Sequence, residues 1–275
     1  MATKPVEVVE ACGNAGMYKA NLGIPNWLVR SFMAGLFIAV GAALCTVAGT
    51  GLDKFMGPGF KSLIGGAVFP IGLIAIVLTG MSLFTGDTML IPMAVWQKKT
   101  TWSKVMNAWF WVYVGNFAGS LFWAYIMVYG PFVKGGGYEL TVFGQSAIAV
   151  AEAKTLPYIA HGAWGLWSCF LKAIACNLLV NVALLLGFSS KAMVGKFFGI
   201  WFPIMAFVAL GMEHCVANMY FIPTGIMLGA KVSWMQFIYW NLIPATIGNI
   251  VGGFIFIGAV YYWSFQQELS TARAT

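Results

Sequence analysis

The residues best suited to chemistry lie inside a long apolar segment, residues 197–230. Glu213, His214 and Asn218 fall within the run GMEHCVANMYFIP, and Glu213 is the single formal charge of that segment. An ionisable side chain at bilayer depth costs about 2.5–3.5 kcal/mol on insertion scales, so it usually faces a partner or a pathway. Imidazole donates from one nitrogen while the other is held, and its ordinary pKa lies near physiological pH. His214 is therefore a candidate for hydrogen bonding to an anion or for passing it a proton.

Three other polar side chains in apolar segments have predicted roles. Adjacent helical residues point about 100° apart, so we expect Glu213 to hold backbone or a neighbouring helix rather than to form a dyad with His214. Thr85 lies in the run LFTGD, which interrupts another apolar segment. Its hydroxyl either donates to a permeant oxygen or caps the interrupted helix. Asp87 is predicted to cap the half-helix that follows.

Asn177 and Asn181 lie one helical turn apart and share a face. Such amides commonly join membrane helices, at about 1 kcal/mol or less per bond.

His161 and His214 have no carboxylate or thiol spacing typical of a metal site around them. Phosphate-binding and nucleophile motifs are also absent from the sequence. We therefore expect no cofactor, no metal, no nucleic-acid partner and no enzymatic activity.

The composition indicates a membrane protein. Of 275 residues, 60% are hydrophobic and only 8% are charged, against about 25% charged in soluble domains. Long apolar regions, each near or above the roughly 18–20 residues that cross a bilayer, divide the chain. These regions are residues 31–52, 62–86, 105–133, 173–190, 197–230 and 232–267. The sequence predicts an all-α polytopic membrane protein with six transmembrane helices.

The chain divides into a transmembrane domain and two short ends. Residues 1–26 lack the apolar core of a signal peptide and are predicted to form an amphipathic helix on the membrane surface. Residues 27–265 form the predicted transmembrane domain, and residues 266–275 a C-terminal tail. Neither end is long enough for a separate soluble domain.

The basic residues predict the orientation. We assign one side Lys4, Lys19, Arg30, Lys98, Lys99, Lys104, Lys191, Lys196 and Arg273. We assign the other side Lys54, Lys61, Lys134, Lys154 and Lys231. Nine basic residues against five predict that the first side is cytoplasmic, so the protein would lie in the plasma membrane with both termini in the cytoplasm. Basic residues on both faces would also attract anions.

The two halves of the chain echo each other. Gly115–Gly119 and Gly248–Gly252 both read GNxxG, which is typical of close helix packing. Breaks predicted at Leu83–Asp87 and His214–Asn218 are each followed by Ile-Pro. Because three spans per half is an odd number, the second half enters from the opposite side, and such inverted repeats meet at a midplane site. The predicted repeats are residues 27–133 and 155–265.

Four runs carry a resemblance to a known family. They are SLFTGDTM, LKAIACNLLVNVA, GMEHCVANMYFIP and NLIPATIGNIVGG. Together they resemble the formate–nitrite transporter family from about Gly16 to Tyr262. The resemblance implies an aquaporin-like fold and a homopentamer in the lipid bilayer, in which each protomer has its own pore for a small monovalent anion.

The resemblance also implies roles for individual residues. The central histidine is His214, with Asn177 and Asn218 as its amide partners, and Thr85 belongs to a mobile loop in the second span. An apolar constriction is implied on either side of the histidine. Its residues are Phe69, Leu73, Leu83, Val180 and Phe207.

Two departures from the family pattern stand out. Relatives often carry an acid just before LFT, where this chain has Ser82. They also place a lysine in the approach to the fourth span. Lys154, His161 and Lys172 are the candidates for that position.

The leading hypothesis is a passive or proton-coupled formate channel. Nitrite, and after it hydrosulfide or lactate, are alternative substrates. A different class is an intramembrane redox subunit, because 12 Trp and 22 Phe could line a quinone pocket. Paired haem-type histidines on facing spans are missing, which argues against it. A structural membrane subunit is the third hypothesis, and it gives no reason for His214 in the membrane.

Overall fold

The computed structural model describes residues 3–135 and 139–274, with side chains described up to residue 271. The side chain of Arg273 and both terminal ends, residues 1–2 and 275, lie outside the described residues. The helices of the first half are α1 (Pro5–Ala20), α2 (Ile24–Gly49), α3 (Leu52–Val68), α4 (Ile71–Thr79), α5 (Phe84–Trp96) and α6 (Trp102–Tyr129).

The second half has the same pattern of long and interrupted helices. It contains α7 (Val142–Ala153), α8 (Leu156–Ala160), α9 (Gly162–Ser189), α10 (Met193–Ala209), α11 (Cys215–Met227), α12 (Trp234–Phe237), α13 (Ile243–Val251) and α14 (Val260–Ala274). Two π-helical stretches, Ile238–Leu242 and Gly252–Ala259, join the last three helices into one continuous helix.

Among the described residues, five helical segments are long and apolar enough to cross a membrane. They are Ile24–Gly49, Leu52–Thr79, Trp102–Tyr129, Gly162–Ser189 and Trp234–Thr271. The remaining predicted span, residues 197–230, consists of two shorter apolar helices, α10 and α11. The described chain is therefore an all-helical, multi-pass membrane protein, and its fifth apolar region is divided between two helices.

Helices also lie near both ends of the described chain. Val8, Val9 and Cys12 of α1 are buried, and Gly16 lies against the backbone of Leu90, so α1 packs on α5 of its own chain. At the other end the helix continues through residues 266–274, where the sequence suggested a tail.

Both helix breaks lie earlier than predicted. The first spans residues 80–83 and the second residues 210–214, rather than 83–87 and 214–218. Consequently Thr85 and Asn218 belong to helices α5 and α11, and the prediction that Thr85 lies in a loop is wrong.

A glycine with positive φ sets each of these boundaries. Gly80 has φ +73° and Gly211 has φ +69°, the left-handed conformation that ends helices. The following N–H groups close the same turn: Met81 N donates to the Ile76 carbonyl at 3.0 Å, and Met212 N donates to the Phe207 carbonyl at 3.1 Å. The two breaks are therefore built alike.

The GNxxG glycines allow helices to touch, as predicted. A Cβ on Gly115 would collide with Ser31, and one on Gly119 with the Phe32 carbonyl, so α6 packs directly on α2. In the second half, a Cβ on Gly248 would lie 2.5 Å from the Phe170 carbonyl, which brings α13 against α9.

Candidate functional site

The asparagine of each GNxxG motif holds one helix break. Asn116 accepts a hydrogen bond from the Phe84 N–H at 2.9 Å through Oδ1. Its Nδ2 donates to the Ser82 carbonyl at 3.1 Å and to the Ser31 carbonyl at 2.8 Å. The amide thus ties the end of the first break and the first residue of α5 to the unbroken helix α2.

Asn249 makes the same three bonds at the second break. Its Oδ1 accepts from the Cys215 N–H at 2.8 Å. Its Nδ2 donates to the carbonyls of Glu213 at 2.9 Å and Ala173 at 2.8 Å. Sequence reasoning interpreted GNxxG as a packing motif and missed both amides, although the Asn at the same place in both halves was a usable signal.

Asn116 and Asn249 are called the clasp asparagines below. Each binds the residues on either side of one central residue, which is Leu83 in the first half and His214 in the second. Both face one narrow space that is too small for a water molecule. Its walls are Ile38, Phe69, Leu73, Leu83, Val180, Ile204, Phe207 and His214. All five residues of the implied constriction therefore surround the histidine.

Two walls of this space, Ile38 and Ile204, were not predicted. Ile38 lies seven residues after Ser31, as Val180 lies seven after Ala173, and both Ser31 and Ala173 are bound by a clasp asparagine. Ile204 lies three residues before Phe207, whose carbonyl accepts the hydrogen bond from the Met212 N–H at the second break. Leu73 likewise lies three residues before Ile76, whose carbonyl accepts from the Met81 N–H at the first break. Applying the repeat register to the implied residues would have found both.

His214 is the N-cap of α11, and its ring bridges the two halves. Nδ1 accepts from the Ala217 N–H at 3.1 Å, and Nε2 lies 3.0 Å from Thr85 Oγ1. Because a backbone N–H can only donate, Nδ1 is an acceptor, and the hydrogen of a neutral ring sits on Nε2. Nε2 then donates to Thr85 Oγ1, which leaves the threonine O–H free to donate elsewhere.

Aromatic rings cover the same imidazole. Phe207 stacks on His214 with centroids 5.8 Å apart and an interplanar angle of 19°. Phe69 meets Phe207 edge to face at 5.6 Å. Phe69, Phe207 and the imidazole thus form one cluster of rings at this narrow space.

Three donors fix the backbone of Thr85. Its carbonyl accepts from Asn177 Nδ2 at 3.1 Å, Asn181 Nδ2 at 3.2 Å and Thr88 Oγ1 at 2.7 Å. Asn177 was implied to be an amide partner of the histidine. Within the described residues its amide instead holds the residue that bonds to the histidine.

Glu213 joins four side chains on neighbouring elements. Its Oε2 accepts from Lys154 Nζ at 3.0 Å, from Asn218 Nδ2 at 2.6 Å and from Asn241 Nδ2 at 3.3 Å. Its Oε1 accepts from the Tyr158 hydroxyl at 2.8 Å. Asn218, the other implied amide partner, therefore bonds to this carboxylate rather than to the adjacent imidazole.

A basic cavity opens on each side of the constriction. The Lys154 vestibule has a volume of about 220 Å³ and includes Lys61, Lys154, Phe69, Phe207, His214 and Asn218. The Lys19 vestibule has a volume of about 460 Å³ and includes Lys19, Arg30, Leu73, Leu83, Asp87 and Leu184. The arrangement is a blocked pathway with cations at both entrances.

Of the three candidates for the lysine near the fourth span, Lys154 lines the cavity. His161 is exposed at the start of α9. Lys172 donates to the Tyr158 hydroxyl at 3.3 Å, outside the cavity wall.

The prediction that Asp87 caps α5 is wrong. The N-cap position is Leu83, without a side-chain cap bond. Asp87 Oδ1 instead pairs with Lys19 Nζ of α1 at 2.7 Å.

Comparison with known proteins identifies the architecture. The sequence model of the formate/nitrite transporter family matches residues 6–263. The chain belongs to this family. It is 39% identical over 274 residues to the probable formate transporter of Methanothermobacter thermautotrophicus, with 96% of this chain and 97% of the relative covered. It is 36% identical to the formate channel BtFdhC of Bacillus thuringiensis, with 98% of both chains covered.

Solved structures of family members agree. An FNT family ion channel superposes with a TM-score of 0.81 at 27% identity, covering 94% of this chain and 98% of that one. A structure described as a pentameric formate channel with formate bound gives a TM-score of 0.74 at 30% identity, covering 88% and 98%. This family of transporters and channels argues against the redox-subunit and structural-subunit hypotheses.

Proposed function

We propose that the protein is a passive or proton-coupled channel for small monovalent anions, with formate as its favoured substrate. The observation that carries the proposal is the apolar constriction around the His214–Thr85 pair, with a basic vestibule at each end. The relatives described as formate channels support formate in particular.

The path imposes two opposite requirements on an anion. Lysine side chains at both entrances, with Arg30 at one of them, raise the local anion concentration. The constriction then removes water from the ion, which is costly without compensating hydrogen bonds. The freed O–H of Thr85 and the Nε2–H of His214 are the donors placed to offset that cost.

The hydrogen-bonding role of His214 has specific support. A proton on Nδ1 would break the bond from the Ala217 N–H and remove the cap of α11. We therefore favour a neutral ring that donates through Nε2. In the proton-coupled version the anion crosses as its neutral acid, and that version predicts faster flux at lower pH.

The assembly and orientation belong to the same proposal. We infer a homopentamer with one pore per protomer, on the strength of the related pentameric channel. We infer a plasma-membrane location with both termini cytoplasmic, because nine basic residues against five were assigned to the side of the termini. The Lys19 vestibule would then open to the cytoplasm.

Anion flux into proteoliposomes tests the proposal. Formate, nitrite and hydrosulfide are compared at two pH values, with protein-free liposomes as the control. Formate is expected to enter fastest, and faster at the lower pH if a proton accompanies it. Preferred entry of nitrite would reassign the substrate, and no flux of any of the three anions would overturn the proposal.

A further inference from the structure

The two vestibules carry matching lysines but differently placed acids. Asp87 lies four residues after Leu83, as Asn218 lies four residues after His214. Ser82 immediately precedes Leu83, and Glu213 immediately precedes His214. Each half thus has one carboxylate at these two positions. In the first half it follows the central residue, as Asp87, and in the second half it precedes the central residue, as Glu213.

The two carboxylates differ in how completely they are paired. Both oxygens of Glu213 accept hydrogen bonds, from four side chains in all. Asp87 is completely buried, and its Oδ1 accepts from Lys19 Nζ. Its Oδ2 has no hydrogen-bond partner among the described residues. A buried carboxylate oxygen without a donor is unusual, and it gives this group room for a proton.

Lys19 links the first break to helix α5. Its ammonium donates to Asp87 Oδ1 at 2.7 Å on α5 and to the Met81 carbonyl at 3.3 Å in the break. The lysine side chain is 17% exposed and lines the vestibule, so its ammonium is accessible from this cavity. The other charged or titratable side chains lining this cavity are Arg30 and Tyr18, and Arg30 lies over the Tyr18 ring.

We propose that Lys19 and Asp87 form a proton-linked anion site in the Lys19 vestibule. An entering anion takes the place of the carboxylate beside Lys19, and Asp87 takes up a proton on its unpaired oxygen. Charge balances, because one anion and one proton arrive together and the lysine keeps its charge. Removing a partner from a buried ion is strongly unfavourable, so release of the lysine and protonation of the acid are coupled. The site deepens the proposed anion transport and rests on it.

Coupling of this kind is reciprocal: the anion promotes proton binding, and the proton promotes anion binding. Lowering the pH should therefore strengthen anion binding on this side. In Asp87→Asn the acid is replaced by a neutral side chain of the same shape, which imitates the protonated state. The variant should bind the anion at high pH as tightly as the wild type does at low pH.

Two measurements on the full-length protein test the site. Sodium formate is added to purified protein in weakly buffered solution, and proton uptake is recorded with a pH dye. The half-saturating formate concentration is then measured in proteoliposomes at two pH values. Wild type should take up protons and show half-saturation that rises with pH, on the order of tenfold, as typical coupling energies predict. Asp87→Asn should lose this uptake and show a nearly constant half-saturation.

Further variants separate the site from a general role in folding. The double variant Lys19→Met, Asp87→Asn removes both charges of the pair together and should show weak formate affinity at both pH values. Lys104→Gln removes an exposed charge that bonds to Asn21 and should behave as wild type. Size-exclusion elution establishes assembly of each variant.

The outcomes are distinct. Unchanged proton uptake and pH dependence in an assembled Asp87→Asn channel would overturn the site while leaving formate transport in place. An equal loss of affinity in Asp87→Asn and in the double variant would also overturn it, since that pattern indicates a structural ion pair. A wild-type protein that transports no anion would overturn the proposed function instead.

Discussion

Leu83 and His214 occupy equivalent positions in the two halves of the protein, each between the two residues that a clasp asparagine ties down. The clasps are equal in number and kind of bonds. The pore centre is therefore built symmetrically, and its chemistry is not: one half contributes an isobutyl group and the other an imidazole. Only one of two equivalent places carries the polar function.

The first prediction concerns the clasps. Asn249→Ala leaves the Cys215 N–H and the Glu213 and Ala173 carbonyls without this partner, at about 1–3 kcal/mol for each buried group that stays unpaired. Thermal unfolding in detergent should shift to lower temperature, and formate flux should fall with it.

Asn116→Ala is the matched control for that change. It breaks three similar bonds and should lower the unfolding temperature by a similar amount. Since the second break is untouched, the cap and position of His214 should survive better, and flux at a temperature where both variants are folded should fall less. An unfolding temperature equal to that of the wild type in Asn249→Ala would contradict the proposed role of Asn249 in holding the second break.

His214 is tested by two substitutions that separate its roles. His214→Phe removes both the acceptor for the Ala217 N–H and the donor to Thr85, so flux should be nearly abolished and stability lowered. His214→Asn retains an N-cap acceptor, because asparagine is a favoured cap, worth about 1 kcal/mol over alanine. It should restore stability without restoring wild-type flux or its pH dependence. Normal formate uptake with normal pH dependence in both variants contradicts the assigned role.

Phe207 is predicted to set the size limit. Phe207→Ala removes the ring stacked on His214 and the edge contact with Phe69, which widens the Lys154 side of the constriction. Flux of lactate relative to formate should rise in proteoliposomes. Phe202→Ala, on the exposed face of the same helix, is the control and should leave the ratio unchanged. An unaltered ratio in Phe207→Ala shows that another residue selects for size.

The sequence predicted the all-helical membrane fold because long apolar segments are visible in the residue order itself. Both breaks were misplaced because the polar residues lie at positions 83–87 and 214–218, whereas Gly80 and Gly211 end the helices through their backbone conformation. The repeat register was available but was not applied to Ile38 and Ile204.

Other features depend on tertiary contact and have no local signal. The pairing of Lys19 with Asp87 needs α1 to dock against α5, although 68 residues separate the two side chains in the chain. The bonds of Asn116 and Asn249 to distant carbonyls are of the same kind. Residue type shows that a buried amide needs partners, but only the fold shows which ones.

The last prediction concerns Thr85. Its carbonyl is held by Asn177, Asn181 and Thr88, independently of its hydroxyl. Thr85→Val therefore removes the hydroxyl while leaving the backbone position and the side-chain shape almost unchanged. If the O–H donates to the anion inside the constriction, half-saturation by formate should rise and maximal flux should fall in proteoliposomes.

Thr85→Ser keeps the hydroxyl and loses a methyl group, so it should stay closer to wild type than Thr85→Val in both parameters. The comparison separates hydrogen bonding from volume, because the two variants change one property each. The His214 ring gives a second criterion: in Thr85→Val the Nε2–H loses its acceptor, and a titration of the ring by NMR should change relative to wild type. Equal transport by Thr85→Val and wild type would mean that the hydroxyl only satisfies the imidazole, and the anion would then have to find its donor elsewhere along the path.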